Sequence, residues 1–280
     1  MRLSTVRLDD GNRTTTAARQ DGDEFVLLPY TDVGTLLASG ADWRERASWN
    51  GDRIPRDSVS LAPTVPHPNK IVCLGLNYAT HIREMGRPTP AHPTLFAKYD
   101  GSLIGARDDV HMPPVSDDVD WEAELGVVIG LGGRHLSREE ALEHVAGYTV
   151  ANDVTVRDWQ HRTREFLAGK TFEGTTPVGP VLVTPDELPS GASGLAIECA
   201  VDGQTMQKSN TADLLFDVAD IIAYVSTIIT LLPGDLILTG TPGGVGAGRD
   251  PKVFLRPGQE LVTTVEDIGE LRNTVVKDHR

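Results

Sequence analysis

Two glutamates separated by one residue, Glu122 and Glu124, are the first residues that could do chemistry. They precede the apolar run 126–129, Gly-Val-Val-Ile, which is typical of a buried strand. Side chains alternate along a strand, so both carboxylates would lie on one face about 7 Å apart. Burial and mutual repulsion disfavour two charged carboxylates beside a core, and a bound cation would relieve both. A solvated strand face is the alternative interpretation of this pair alone.

A third carboxylate, Asp153, ends the apolar segment 147–152. The residues after it, 154–166, have a pattern that predicts a helix. With Asp153 at the junction, Arg157 and Gln160 follow at i+4 and i+7 and would share its face of the helix. One strand end would then present a carboxylate, a guanidinium and an amide together. The alternative is an aspartate that caps a helix beside a surface arginine.

A histidine and a glutamate, His81 and Glu84, stand three residues apart in the segment 75–86. On a short helix Glu84 could accept a hydrogen bond from His81, fix its tautomer and raise its basicity. This arrangement is that of a general base for water. A surface ion pair is the alternative interpretation.

Two glycine-containing segments invite a phosphate-binding interpretation, and neither has the required spacing. Gly169-Lys170-Thr171 resembles the end of a P-loop, but Arg164 stands where that motif has its first glycine. The segment 240–246 does not fit the dinucleotide-binding pattern Gly-x-Gly-x-x-Gly. It is better interpreted as a tight loop that exposes backbone N–H groups and the hydroxyl of Thr241.

The types of candidate ligand indicate which metal could bind. The sequence has no His-Glu-x-x-His and no paired Cys-x-x-Cys, which argues against zinc. A site made only of carboxylates selects hard cations, so Mg²⁺ or Mn²⁺ is expected, with Ca²⁺ as a further option.

The elements that must position these groups are mostly strands. Strands are predicted over 70–75, 119–131, 147–153, 178–184, 196–202, 235–240 and 260–267. They do not alternate with helices as in a doubly wound fold. A capping box at Ser137 and Glu140 predicts a helix that stops at Gly147. Helically spaced apolar residues predict another helix from 218 to 232, and together these elements predict a β-dominant α+β class.

The N-terminal region is predicted to be a small β-rich accessory domain. Turn clusters at 9–12 and 21–23 separate short strands, and a helix is expected near 32–39. The stretch 51–69 carries four prolines, which favour an extended linker. We therefore predict an accessory domain and linker over 1–63 and a catalytic domain over 64–280.

Composition excludes several classes of partner. The 280 residues, 39% hydrophobic, suffice for one large core, and the formal charge of −14 disfavours nucleic acid and anionic membranes. The most apolar stretch, 221–232, is too short to span a bilayer. The N-terminus lacks a secretory signal pattern, and Cys73 and Cys199 lie in apolar runs typical of buried free thiols. A cytoplasmic protein without membrane or nucleic-acid partners is expected.

Five motifs in order over about 200 residues resemble the fumarylacetoacetate hydrolase family. They are CLGLNYATHIREMG, DWEAELGVVIG, GYTVANDVTVRDWQ, GKTFEGTTPVGP, and QKSNTADLLF followed by LLPGDLILTGTPGGVG. The resemblance implies a mixed β-roll of layered sheets, a homodimer and a divalent ion.

The same resemblance implies a role for each candidate residue. The metal ligands would be Glu122, Glu124 and Asp153. His81 and Glu84 match a water-activating pair on a lid, and Lys170 matches a lysine that steadies negative charge on the substrate. The pocket would be lined by Arg157, Gln160 and Thr241.

The sequence departs from the family's namesake in a way that bears on the substrate. The namesake has a further acidic metal ligand just before its catalytic histidine, and residues 75–78 here contain none. The chain is more similar to shorter bacterial members, which hydrolyse acylpyruvates, decarboxylate oxaloacetate, or isomerise or hydrate hydroxymuconate-type acids. We expect hydrolysis of a C–C bond in a small 2-oxo or 1,3-dicarbonyl acid through a metal-stabilised enolate. Decarboxylation and isomerisation are the alternatives, and a non-catalytic metal-stabilised binding protein is a remote one.

Overall fold

The computed structural model describes residues 1–8, 14–84 and 88–278, with the side chains at positions 81, 83 and 84 outside that description. In chain order its strands are β1 (Arg2–Arg7), β2 (Thr15–Asp21), β3 (Glu24–Leu27), β4 (Arg53–Pro55), β5 (Ser60–Leu61), β6 (Ile71–Gly75), β7 (Thr94–Lys98), β8 (Leu103–Ile104), β9 (Val110–Met112), β10 (Val119–Asp120), β11 (Ala123–Ile129), β12 (Val145–Asn152), β13 (Thr155–Val156), β14 (Thr176–Val183), β15 (Ala196–Val201), β16 (Gln204–Asn210), β17 (Leu236–Leu238), β18 (Glu260–Val265) and β19 (Gly269–Lys277).

The helices are short, apart from the last. They are α1 (Val33–Leu37), α2 (Trp43–Arg46), α3 (Ala79–Glu84), α4 (Arg138–Ala141), α5 (Arg157–Gln160), α6 (Leu167–Lys170) and α7 (Val218–Ile228). Single 3₁₀ turns span Arg56–Ser58, Asp100–Ser102, Leu142–His144, Pro185–Glu187, Ser190–Ala192, Thr211–Asp213 and Gly246–Gly248. Within the described ranges, no helix is long and apolar enough to cross a membrane.

Two sheets form the scaffold. The larger has the order β4-β3-β2-β1-β14-β12-β11-β17-β6-β7, and the smaller has the order β16-β15-β18-β19-β9. Most neighbours are antiparallel, but β17 with β6 and β19 with β9 are parallel. Strands β18 and β19 pack against β12, and β19 also packs against β14, so apolar side chains of the two sheets share one core. The predicted β-dominant α+β class with layered sheets is confirmed.

The N-terminal strands continue the larger sheet. Strand β1 pairs with β14 through Arg2 opposite Val183 and Leu3 opposite Leu182. Helix α1 buries its apolar side chains in a core that also contains Val128. The helix expected near 32–39 is thus present, and the linker stretch contributes the short strands β4 and β5. The division into an accessory domain and linker over 1–63 and a catalytic domain over 64–280 stays a prediction.

Three predicted helices differ from the structure in their extent or in their type of secondary structure. The predicted helix 154–166 is wrong: β-branched Thr155 and Val156 pair with β10 as strand β13, and only one helical turn follows, α5. The capping box at Ser137 is confirmed, but the helix gives way to strand β12 at Val145, which pairs with β11. Helix α7 stops at Ile228, because Leu231 is buried in an extended bridge to Gly133.

Candidate metal and substrate site

The carboxylate triad, Glu122, Glu124 and Asp153, is assembled by one antiparallel strand pair. Ala123 at the start of β11 faces Asn152 at the end of β12. The flanking residues continue this pairing, since the Asp153 N–H donates to the Glu122 carbonyl at 2.8 Å. Each triad carboxylate is buried and offers one oxygen, and these oxygens lie within 4.8 Å of one another. The predicted clustering of the three carboxylates is therefore observed.

Glu124 gives the clearest indication that the triad could hold a cation. Its Oε2 accepts from the Gly240 N–H at 2.7 Å, while its buried Oε1 has no hydrogen-bond partner among the described residues. Burial, followed by the charges of Asp153 and Glu122, raises the pKa of Glu124 well above its usual range. A buried unpaired oxygen between two other carboxylates fits a divalent cation, which prefers oxygen ligands.

Lys170, at the end of α6, lies between two triad members. Its Nζ donates to Glu122 Oε2 at 2.6 Å and to Asp153 Oδ2 at 2.7 Å. Burial lowers the pKa of Lys170, but the charges of Asp153 and Glu122 outweigh it and raise the pKa to about 12. The ammonium is therefore a fixed positive charge at neutral pH. Each carboxylate oxygen has two lone pairs, so these hydrogen bonds leave capacity for a cation.

A second buried lysine, Lys98, was missed by the sequence analysis. It ends β7, and its Nζ donates to Asp153 Oδ1 at 2.6 Å. Burial raises the pKa of Asp153, but the charges of Lys170 and Lys98 outweigh it, and the net shift is downward. One sequence signal could have found Lys98: alternation along a strand places it on the same face as Phe96. The Phe96 ring centroid lies 4.9 Å from Lys170 Nζ, which is cation–π distance.

Arg157 reaches the triad through Glu122. Its Nη1 lies 2.8 Å from Glu122 Oε1 and donates to Gln160 Oε1 at 2.9 Å. Its Nε donates to Asp120 Oδ2 at 2.8 Å, and its buried Nη2 has no partner within the described part of the chain. The expected helical face shared with Asp153 is wrong, because Thr155 and Val156 form a strand. Arg157 and Gln160 nevertheless lie at the site, beside Glu122.

Thr241 belongs to the glycine-rich loop, residues 240–248, which follows β17. Its Oγ1 accepts from Gln207 Nε2 at 2.8 Å, and Gln207 Oε1 accepts from the Ala123 N–H at 2.9 Å. Gly240 next to it has φ +98°, and a Cβ there would lie 2.9 Å from the Cβ of Asn77. Only glycine allows this approach without strain, and the approach lets the Gly240 N–H reach Glu124.

The proposed lid pair begins one turn beyond an anchored segment. Asn77 Nδ2 donates to the Thr239 carbonyl at 2.8 Å, and Asn77 Oδ1 accepts from the Phe216 N–H at 2.8 Å. Helix α3 follows, but the side chains of His81 and Glu84 lie outside the described residues. Their roles stay predictions.

The layered sheets and the buried carboxylates with their lysines define a β-dominated protein with a candidate centre for a divalent cation. Residues 70–276 match the family model described as the fumarylacetoacetate (FAA) hydrolase C-terminal domain. The chain belongs to this family, and the resemblance noted in its sequence is confirmed.

Relatives of the chain are named for several reactions. The mitochondrial oxaloacetate tautomerase FAHD2A of Homo sapiens is 46% identical over 225 residues, which are 80% of this chain and 71% of that protein. The structure of the fumarylacetoacetate hydrolase of Exiguobacterium antarcticum is 32% identical, with TM-score 0.86, covering 99% of this chain and 100% of the other. A 5-carboxymethyl-2-hydroxymuconate delta-isomerase from Mycobacterium smegmatis is 30% identical, with TM-score 0.83 and the same coverage. Family membership alone therefore does not define the reaction.

Proposed function

We propose that the protein is a divalent-metal-dependent enzyme that interconverts the keto and enol forms of a small 2-oxo dicarboxylic acid such as oxaloacetate. The observation that carries this proposal is the carboxylate triad, buried together with Lys98, Lys170 and Arg157. The name of the human relative that is 46% identical, an oxaloacetate tautomerase, supports the same chemistry.

The charges at the site favour a substrate with more than one negative charge. Four buried carboxylates face three buried cations, namely Asp120, Glu122, Glu124 and Asp153 against Lys98, Arg157 and Lys170. The formal charge of this cluster is −1, and a divalent cation would bring it to +1. An otherwise acidic protein would then offer a local positive centre to a dianion.

Residues of this chain would act together with a bound divalent cation in the keto–enol conversion. When bound, a divalent cation supplies a Lewis acid that draws electron density from the 2-oxo group. Lys170, held protonated between two carboxylates, places positive charge where negative charge develops on the substrate oxygen. Tautomerisation breaks the C3–H bond and forms an O–H bond on the 2-oxo group, so it needs a base that takes the C3 proton and, once protonated, donates it to that oxygen. We assign that role to His81 supported by Glu84.

A second candidate is hydrolysis of a C–C bond in an acylpyruvate, the reaction class expected from the sequence. The presence of both His81 and Glu84 favours it, since hydrolysis needs a base that takes a proton from water. The name of the Exiguobacterium antarcticum structure supports the same class. Decarboxylation of oxaloacetate would use the same site without the water.

The reactions are separated by incubating Mg²⁺- or Mn²⁺-loaded protein with oxaloacetate, acylpyruvates and hydroxymuconate-type acids. We expect accelerated loss of the enol absorbance of oxaloacetate, with no C–C cleavage product by NMR. The Glu124→Gln variant should abolish the acceleration, while Glu198→Gln, whose side chain is partly exposed on β15, should not. Cleavage of acylpyruvates with no effect on oxaloacetate would establish the second candidate instead. Binding without turnover across the panel would refute both.

We also propose a cytoplasmic homodimer. The resemblance to the family supports the dimer, and light scattering on the purified protein tests it by molar mass. The human relative is named as mitochondrial, so fractionation of the native cell is the test of location.

A further inference from the structure

Asp120 is a buried carboxylate outside the triad with an unusual set of partners. Its side chain is fully buried and accepts four hydrogen bonds. Oδ1 accepts from the N–H groups of Trp121 at 2.8 Å and Gly246 at 2.7 Å. Oδ2 accepts from the Ala247 N–H at 2.9 Å and from Arg157 Nε at 2.8 Å. All four donors are N–H groups, so only an ionised carboxylate satisfies them.

Two of these donors belong to the glycine-rich loop, which is thereby held at both ends. Near its start Gly240 donates to Glu124, and near its end Gly246 and Ala247 donate to Asp120. A Cβ on Gly246 would lie 1.8 Å from the Val253 carbonyl oxygen and 2.8 Å from Asp120 Oδ1. The close approach of this loop to Asp120 therefore requires glycine.

The fourth donor is the guanidinium that contacts the triad. A guanidinium is planar, so holding Nε on Asp120 fixes the directions of Nη1 and Nη2. Nη1 then meets Glu122 and Gln160, and Nη2 is left buried without a partner among the described residues. A buried unpaired N–H group is costly unless a ligand completes it.

We propose that Asp120 is a positioning residue that orients Arg157 and the glycine-rich loop as one unit. In this orientation Arg157 Nη2 donates a hydrogen bond to a carboxylate of the substrate. The proposal rests on the proposed function for the identity of that substrate. Asp120 itself has all its acceptor sites occupied by the protein, and it acts through Arg157.

The test uses Asp120→Asn in the full chain. In either amide orientation, the new NH₂ faces two N–H donors, so the carboxamide cannot replace the carboxylate. We expect KM for oxaloacetate to rise roughly 10- to 100-fold, the worth of a hydrogen bond to a charged group, with kcat changed less than about threefold. Calorimetry with malonate as an inert dicarboxylate should show a similar loss of affinity, with Mg²⁺ affinity retained.

A double-variant cycle distinguishes positioning from general destabilisation. If Asp120 acts through Arg157, the variant Asp120→Asn/Arg157→Ala binds malonate no more weakly than Arg157→Ala alone. The matched control is Asp235→Asn, a fully buried aspartate paired with Lys70 before β17, at the end of β11 remote from the triad. It should lower stability and leave malonate affinity unchanged.

An NMR readout keeps this test separate from the proposed function. In the wild-type protein, the Arg157 Nε–H signal should exchange slowly, and in Asp120→Asn it should exchange fast or disappear. An unchanged signal, or additive losses in the double variant, would overturn the positioning role. If the signal changes as expected but no acid in the panel is turned over, the proposed function fails and the positioning role stands on the malonate measurements.

Discussion

At the scale of single residues, the site is a balance of buried charges that the chain arranges in pairs. Asp153 meets Lys98 and Lys170, and Glu122 meets Lys170 and Arg157. Within the triad, Glu124 alone has no cationic partner among the described residues, only the Gly240 N–H. The charge that Glu124 lacks is the one a divalent cation would provide, and this makes it the residue most dependent on the ion.

The two lysines should differ in importance. Lys170 contacts two triad carboxylates and Lys98 one, so Lys170→Met should lower kcat for oxaloacetate by roughly 10²- to 10³-fold, and Lys98→Met by less. Steady-state kinetics with saturating Mg²⁺ measures both. Lys70→Met, whose partner is Asp235, is the control and should retain kcat. A Lys170→Met variant with only a raised KM would show that Lys170 merely holds a substrate carboxylate.

His81 should separate the two candidate reactions, enolisation and hydrolysis, from decarboxylation. Hydrolysis of an acylpyruvate and enolisation both need a base, whereas decarboxylation of oxaloacetate needs mainly an electron sink. We expect His81→Ala to lose roughly 10²- to 10⁴-fold in the first two and less in the third. The pH profile of kcat/KM should lose its ascending limb near an imidazole pKa of about 6 to 7. Glu84→Gln should be milder, and a wild-type rate in His81→Ala would exclude His81 as the base.

At the scale of elements, the pairing of β11 with β12 brings the three triad carboxylates together. It places Glu122 opposite Asp153 and Glu124 two residues along, while β17, next to β11, leads into the glycine-rich loop. The glycine-rich loop and the β11–β12 pair therefore lie on two sides of the triad. A shift in register of one residue would turn the carboxylates to the other face of the sheet.

Gly240→Ala tests this contact between loop and triad. The alanine Cβ would meet Asn77 at 2.9 Å in addition to the strain of positive φ. We expect kcat/KM to fall, because the Gly240 N–H leaves Glu124, and stability in urea to fall by more than about 1 kcal/mol. Gly203→Ala has positive φ with nothing within 4 Å of its Cβ, so it should lower stability alone. Equal activity in the two variants would refute the contact's role.

At the scale of the whole molecule, one charged centre is built inside an acidic protein. The formal charge is −14, and burying carboxylates without compensation opposes folding. Binding of a cation to the native state alone therefore couples the site to global stability.

Metal removal should lower thermal stability through Glu124. Mg²⁺ at 100 times its dissociation constant should add about 2.7 kcal/mol to the free energy of unfolding, or roughly 5–10 °C in Tm relative to EDTA. Differential scanning calorimetry measures the shift. Glu124→Gln should abolish it and Glu198→Gln should retain it, while an equal shift in both would place the ion elsewhere.

Much of the candidate site could be predicted because it is encoded locally. Strand alternation places Glu122 and Glu124 on one face, and Asp153 stands at the end of an apolar run, while their assignment as metal ligands came from the family resemblance. The strands of the core were predicted for the same reason, since their apolar runs are long. The motifs that resemble the family gave Lys170 its role and assigned pocket roles to Arg157, Gln160 and Thr241.

Only the tertiary structure decided which groups meet. Lys98 and Asp153 are 55 residues apart, and Arg157 and Asp120 are 37 apart, so no local pattern predicts either contact. The helix predicted after Asp153 was wrong because pairing of Thr155 and Val156 with β10 overrides a helical pattern. The sequence determined which charges are available, and sheet register determined which of them face each other, because cross-strand pairing joins residues without regard to their separation in the chain.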